Sequence, residues 1–267
     1  MPEPSRVYKI WKYDTSGLVS VSDKVACEEP LQITVDGTPV AVVMRTPGHD
    51  PELVAGFLRT EGLVTSYKDV IRIDLEQKKN HALVFLADDV VLDHEKLSRN
   101  LFSASSCGIC GKASIEAIHH QAAPVDGGFS ISSDVLLKLP QSLRAAQKVF
   151  ENTGGLHAAV IADTEGEILV LREDVGRHNA IDKVIGWATD AGVDLSQTIL
   201  QVSGRVSFEV MQKALMARIP IVSAISAPSS LAVDFARESH QTLVGFLRPP
   251  GFNIYSCPDR IVCGDVS

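Results

Sequence analysis

The chain has 267 residues, a mass of 28.8 kDa and a formal net charge of −8, with 45% hydrophobic and 22% charged residues. That is enough for one large or two modest cores, and it excludes a largely disordered polypeptide. No run of eighteen apolar residues exists, the opening MPEPSRVYKIWKYD is charged where an export signal needs an apolar segment, and the acidic balance gives no reason to expect nucleic acid. The expectation is a cytoplasmic protein with neither membrane nor nucleic acid as partner.

In chain order, LQITVDGTPVAVVM (31–44) alternates around Asp36-Gly37 and predicts a hairpin. Asp50 then reads as the cap of a helix with Pro51 and Glu52 in its first turn, Leu53, Val54, Phe57 and Leu58 on its apolar face, and Gly62 at its end. Strand-like runs near 69–75 and 81–87 flank a polar turn, Gln77 to Asn80. From 98 to 112 the composition, SRNLFSASSCGICGK, is that of a mobile loop, followed by a short helical run to His120. Pro124, Gly127 and Gly128 mark an expected boundary between a β-rich N-terminal domain (1–128) and a second domain (129–267). There a helix (141–151), strand 156–162, the turn Asp163 to Gly166 and strand 167–172 precede helix 178–190, strand 197–202, helix 206–217, strand 220–225, helix 229–238 and strand 242–247. This order predicts an α/β fold whose second domain is a three-layer mixed sheet.

Strands joined by helical crossovers run parallel, so those ending at 172, 202 and 225 should share one rim, together with the start of strand 156–162. TGGLH (153–157), REDVGRHN (172–179), SGRVS (203–207) and SAPSS (226–230) then converge where ligands of open α/β sheets usually bind. Ser203, Gly204 and Arg205 stand between a strand and a helix, where free amides and a guanidinium make an anion cradle; Ser229 and Ser230 open the next helix in the same way. Arg172, Arg177, His178 and Lys183 add donors. Taken singly each reads as a cap or surface ion pair, and His157 as a structural histidine. Jointly they point to a phosphate-bearing ligand. Glu173 and Asp174 read either as a solvated pair or as acceptors for sugar hydroxyls.

Cys107-Gly108-Ile109-Cys110 is the one C-x-x-C among five cysteines, an odd count that is no disulfide framework. Structural zinc, a thioredoxin-like redox pair, two buried thiols and a persulfide-bearing sulfur carrier all remain open. A carrier thiol needs exposure and an electropositive setting, which Lys112 could supply. Lowering a thiol from about 8.5 to about 7 raises its thiolate fraction roughly sixteenfold at neutral pH, but lost nucleophilicity takes back about four- to sixfold, so access must do most of the job. The junctions at His157-Ala158-Ala159 and Pro228-Ser229-Ser230 invite comparison with cytidine deaminases, yet alanine stands where their glutamate would be and serine where a thiolate ligand would be. No protein-ligated metal is expected.

With these residues in view, the sequence resembles the FdhD family of sulfur carriers required for formate dehydrogenase activity. The resemblance rests on RTPGHDPELVAGFLRTEG (45–62), SCGICGK (106–112), TGGLHAAV (153–160), REDVGRHNAIDKVIG (172–186), SGRVSFEVMQKA (203–214), SAPSSLAVDFA (226–236) and TLVGFLR (242–248). It implies a homodimer with a deaminase-like second domain that lacks the zinc site. It also implies a sulfurtransferase that takes sulfur from a cysteine desulfurase and passes it to the molybdenum cofactor, bis-molybdopterin guanine dinucleotide, before insertion into formate dehydrogenase. Cys107 looks like the persulfide-bearing residue, assisted by Cys110. The cofactor-binding segment looks like Phe246, Leu247, Arg248, Pro249, Pro250 and Gly251, although the two prolines would stiffen such a loop. The alternative is a chaperone that binds and delivers the cofactor without transferring sulfur.

Overall fold

The computed structural model describes residues 3–90, 122–125, 127 and 129–264. The chain opens with an antiparallel ribbon, β1 (Ser5–Asp14) and β2 (Gly17–Ala26), that no sequence pattern marks. Most of its residues face solvent, Trp11 and Tyr13 included, so it lacks the apolar–polar alternation that half-burial imposes. Next, β3 (Glu29–Val35) and β4 (Thr38–Arg45) form the expected hairpin, with Asp36 and Gly37 at φ 44° and 80° in a tight turn.

Helix α1 (Asp50–Thr60) packs Leu53, Val54, Phe57 and Leu58 against Leu31, Ile33 and Val84. Its cap differs from the expectation. His49, in the left-handed region at φ 59°, precedes the helix without a side-chain cap, while Asp50 sits in the first turn. Its carboxylate is taken by Arg45, which donates from Nε at 2.9 Å and Nη2 at 2.8 Å, and a fork–fork ion pair outcompetes a single cap hydrogen bond. Strands β5 (Val70–Asp74) and β6 (His81–Leu86) complete a four-stranded sheet in the order β4-β3-β6-β5.

A short strand, β7 (Ile131–Ser132), leads into α2 (Ser133–Ala146) and α3 (Lys148–Thr153), which replace the single helix expected over 141–151. Ser132 starts α2 early by accepting from the Asp134 N–H at 3.2 Å. Pro140 is held inside the helix because Leu136, Leu139 and Leu143 on either side of it are buried. The break falls instead at Gln147.

The six-stranded sheet that follows has the order β13-β12-β11-β10-β8-β9. Its strands are β8 (His157–Ala162), β9 (Ile168–Asp174), β10 (Ile199–Val202), β11 (Ile221–Ala224), β12 (Thr242–Arg248) and β13 (Gly251–Ser256), the last beyond the sequence reading. Strands β9 to β12 run one way and β8 and β13 the other. Helices α4 (Arg177–Asp190), α5 (Phe208–Met216) and α6 (Ser230–Glu238) cover one face, and α2 the other, giving the mixed three-layer α/β architecture. A two-residue strand, β14 (Ile261–Val262), pairs with β7. No helix among the described residues is long and apolar enough to cross a membrane.

The two sheets meet where α1 crosses α4. A Cβ on Gly56 would lie 1.8 Å from the Asp182 carbonyl oxygen, and one on Gly186 1.9 Å from that of Glu52, so the two backbones touch. Charged groups close the joint. Lys213 on α5 contacts both Asp182 carboxylate oxygens at 3.0 Å, Glu61 at 2.9 Å and Thr60 Oγ1 at 2.9 Å. Burial pushes the Asp182 carboxyl up to about 6 against the pull of Lys213. Burial works to lower Lys213, but the facing carboxylates hold it above its ordinary value.

Candidate functional site

Four parallel strands end on one rim, and β8 and β13 begin there. Hydrogen bonds between the emerging loops fix their spacing. Ser203 N–H donates to the Ala158 carbonyl and Ala158 N–H to Ser203 Oγ, both at 2.9 Å, extending the β8–β10 ladder by one rung. Val206 N–H reaches the Ala227 carbonyl at 3.2 Å, Ser229 N–H the Val206 carbonyl at 2.9 Å and Phe246 N–H the Ser226 carbonyl at 3.1 Å. The rim is a frame of loops bonded edge to edge.

Its centre brings together His157, Arg177, His178, Gly204 and Arg205. A side chain on Gly204 would come within 3.3 Å of His157 Nδ1 and 4.0 Å of the Arg177 chain, so the glycine keeps this ground open. His178 Nε2 lies 3.2 Å from Arg177 Nε, 3.1 Å from the Glu209 carboxylate and 3.4 Å from Ser207 Oγ. One ring nitrogen bears either a lone pair for Arg177 or a proton for Glu209, never both. Because carboxylate and hydroxyl crowd the same nitrogen, this is not the relay of acyl transfer, in which they take opposite ring nitrogens. Burial first, then the neighbouring Lys213 and Arg177 charges, pushes His178 down to about 3. Burial also lowers His157, with Arg177 and Arg205 adding to the effect. Both rings are therefore neutral near pH 7. Arg177 and Arg205 supply the charge, with no carboxylate partner among the described residues.

Other expected ligands lie elsewhere or are already occupied. Arg172 is turned to α1, where Glu52 accepts from its Nε at 2.5 Å and Nη2 at 2.7 Å. Lys183 is buried against Asp174 at 2.7 Å. Asp174 and Glu173 are neither a solvated pair nor open acceptors. Asp174 is fully buried, and Glu173 accepts the Val149 and Phe150 N–H groups at the start of α3, at 2.9 and 2.7 Å. Ser229 caps α6 by accepting from the Ala232 N–H at 3.2 Å, and Ser230 is exposed beside it. The segment expected to be a binding loop is the end of the β12–β13 hairpin, where Arg248 pairs with Gly251 across Pro249 and Pro250. Leu247 is fully buried in the core, so its side chain is unavailable. Phe246, Arg248, Pro249, Pro250 and Gly251 are exposed at the tip. Phe246 takes φ 52° at the bulge that splits these two orientations. Cys107 and Cys110 lie outside the described residues.

A cleft of about 410 Å³ opens from the rim towards α3, between Gln147, Phe150, Gly154 and Gly155, and ends at His157 and Ser203. TGGLH marks one wall in the sequence; Gln147 and Phe150 carry no motif and escape a reading by pattern. A second cavity of about 540 Å³, lined by Phe129, His240, Cys257 and Arg260, lies at the opposite end of the strands and touches none of these groups.

Comparison with known proteins places this architecture. Residues 26–262 match the model of the FdhD/NarQ family. A protein of Mycobacterium tuberculosis named sulfur carrier protein FdhD is 46% identical over 258 residues, 91% of this chain and 94% of that one. One of the same name from Streptomyces avermitilis is 48% identical, covering 90% and 89%. Another from Sulfolobus acidocaldarius is 43% identical, covering 96% and 98%. A crystal structure from Desulfotalea psychrophila, assigned as a formate dehydrogenase accessory protein, superposes with a TM-score of 0.80 over 97% of this chain and all of that one, at 23% identity.

Proposed function

The chain belongs to the FdhD/NarQ family, and from that premise we propose that it is a sulfur carrier serving formate dehydrogenase. Cys107 takes sulfur from a cysteine desulfurase, and the sheet rim holds the receiving substrate, bis-molybdopterin guanine dinucleotide. The observation that carries this reading is the match through residues 26–262 to proteins named sulfur carriers.

The Cys107 thiolate attacks the terminal sulfur of the donor persulfide, so the donor leaves as a thiolate and Cys107 becomes the persulfide. Cys110 then attacks Cys107 Sγ. The S–S bond that forms replaces the Cys107 Sγ–S bond, so oxidation of the two cysteines to a disulfide supplies the two electrons with which the outer sulfur leaves as sulfide, and a dithiol reductant restores the pair. The rim supports a pyrophosphate ligand: Arg177 and Arg205 without carboxylate partners, two neutral histidines and a glycine whose Cβ would fill the cradle. The metal would be held by the substrate's own dithiolene sulfurs, so this role needs no protein ligand. The working form is taken to be a homodimer; exposed Val7, Trp11, Tyr13 and Leu18 on the β1–β2 ribbon are a surface suited to a partner.

Mass spectrometry after incubation with a cysteine desulfurase and cysteine tests the reading. A reducible one-sulfur adduct is expected on Cys107, and its appearance on another cysteine instead would overturn the assignment. Cys107→Ala and Cys107→Ser should both abolish activation of formate dehydrogenase, whereas a pure delivery chaperone would tolerate either.

A further inference from the structure

The β1–β2 ribbon has no part in the rim, and nearly all of it precedes residues 26–262, the stretch that matches the family. One of its edges is used: β2 lies against α3, where a side chain on Gly155 would begin 3.6 Å from Ala26 Cβ. The other edge is not. Strand β1 pairs with β2 alone among the described residues, so the outward N–H and C=O groups along Ser5–Asp14 have no strand to meet. A two-stranded ribbon is marginal by itself in water, and a long exposed edge is a template for another strand. Val7, Tyr8, Trp11 and Tyr13, between 50% and 78% exposed, stand along it.

Lysines on an edge strand commonly keep other strands away, and β1 carries Lys9 and Lys12. Here they select the partner. Opposed residues of an antiparallel pair share a face, so two copies of β1 related by a two-fold axis meet only with positions of like parity opposed. An axis at Lys9 sets that residue against itself and Arg6 against Lys12, and like charges so placed repel. An axis at Ile10 removes both clashes. Arg6 then faces the partner's Asp14, Tyr8 the partner's Lys12 and Ile10 its own copy on one face. On the other, Val7 faces the partner's Tyr13 and Lys9 the partner's Trp11. Every opposition is an ion pair, a cation beside an aromatic ring or an apolar contact. Axes at Tyr8 or Trp11 shorten the pairing and set apolar residues against charged ones. Arg6 already gives one N–H to Glu29 at 2.6 Å, and Asp14 accepts from Ser16 at 2.8 Å. A guanidinium has five donors and a carboxylate about four acceptor positions, so each can serve a second partner.

We infer that two copies of this chain associate by pairing β1 edge to edge, antiparallel and centred on Ile10, into one continuous sheet, β2-β1-β1-β2. This contact rests on the homodimer reading above and gives that dimer its interface. Since β2 rests on α3 and Glu173 holds the first turn of α3, the shared sheet also fixes the spacing of the two rims.

Oxidative cross-linking and sedimentation of the full chain test it. Ile10→Cys places a thiol on the axis, where directly opposed Cβ atoms stand about 4.5–5.5 Å apart, close enough for a disulfide. Mild oxidation should link most chains through two copies of the peptide containing position 10, identified by mass spectrometry. Position 8 lies about 13 Å from its own copy along the strand, so Tyr8→Cys should link at least tenfold more slowly. Asp14→Lys opposes like charges at both ends and should weaken the dimer about tenfold. Adding Arg6→Glu reverses the pair and should restore affinity to within about threefold of wild type, which it could not do for a damaged turn. A wild-type dimer whose position 10 fails to link, that links equally through Tyr8→Cys, that Asp14→Lys leaves intact or that Arg6→Glu fails to restore overturns this contact and leaves the homodimer standing. A wild-type chain that sediments as a monomer removes both.

Discussion

Replacing Glu52 by glutamine removes one charge from the contact between α1 and β9 while keeping its shape. Burial would raise this carboxyl, but hydrogen bonds and charge from Arg172, with His49 3.4 Å away, override it and hold Glu52 at about 2 instead of 4.5. At about 1.4 kcal/mol per pH unit, that depression corresponds to about 3 kcal/mol, reduced to about 2–3 kcal/mol because a fifth of the side chain meets solvent. A carboxyl depressed in the folded state stabilises fully above its unfolded value and loses that contribution as pH falls from 4.5 through about 2. Glu52→Gln should therefore cost about 2–3 kcal/mol at pH 7, roughly 4–12 °C in Tm, and only about 1 kcal/mol near pH 3. Urea unfolding of both proteins across that range measures the gap. A gap that does not narrow with acid, or one below about 0.5 kcal/mol at pH 7, would refute the argument. Nucleotide affinity belongs in the same experiment: Arg172 is spent on Glu52, so folded Glu52→Gln should bind guanosine diphosphate as wild type does.

Three further outcomes follow from other contacts. Asp174→Asn strands the Lys183 ammonium, 1% exposed, and should cost about 3–5 kcal/mol in chemical denaturation; adding Lys183→Met should recover at least half, and strictly additive losses would contradict the pairing. Gly186→Ala would drive a methyl into the Glu52 carbonyl and force α1 and α4 apart, costing about 3 kcal/mol or more; a loss under about 1 kcal/mol would mean the crossing is looser than the structure has it. His178, pushed down to about 3, should show no titration of its ring resonances between about pH 7.5 and pH 4.5, and a midpoint above about 5.5 would sink the claim that burial keeps it neutral. Only the unfolded chain takes up that proton, so this residue weakens the fold as pH falls from about 6.5 towards 3.

Local chemistry was readable from the sequence, and long-range partner choice was not. Asp36-Gly37 dictates its hairpin because few pairs tolerate two positive φ angles. The alternation of strands and helices after residue 156 dictates which loops share a rim, because right-handed crossovers leave few topologies. Arg172 looks like Arg177 in sequence, but Glu52, 120 residues away, decides that one is structural and the other faces the rim. Asp50 looks like a cap until Arg45 takes it. Leu247 and Phe246 are neighbours in one motif, yet a bulge sends one into the core and the other to the surface.

The stretch 44–62 contains no residue on the rim, yet it determines where the rim's charges stand. Asp174 accepts from Gly176 N–H at 2.8 Å and Asn179 Nδ2 at 2.9 Å on its own turn, and from Thr46 N–H at 3.1 Å across the joint. Thr46 Oγ1 in return accepts from Val175 N–H at 3.1 Å, and Asn179 donates to the Met44 carbonyl at 2.7 Å. The turn that carries Arg177 and His178 is thus clamped at both ends by residues 44–46. Further along, Glu52 holds Arg172, Gly56 meets the Asp182 backbone, and Thr60 with Glu61 holds Lys213 beneath α4. An interior this dense transmits displacement rather than absorbing it. Shifting α1 by the width of one methyl would therefore move the two rim arginines relative to each other, and ligand geometry would change with no ligand contact touched. The N-terminal half is in this sense part of the binding site, as the jig on which its charges are set.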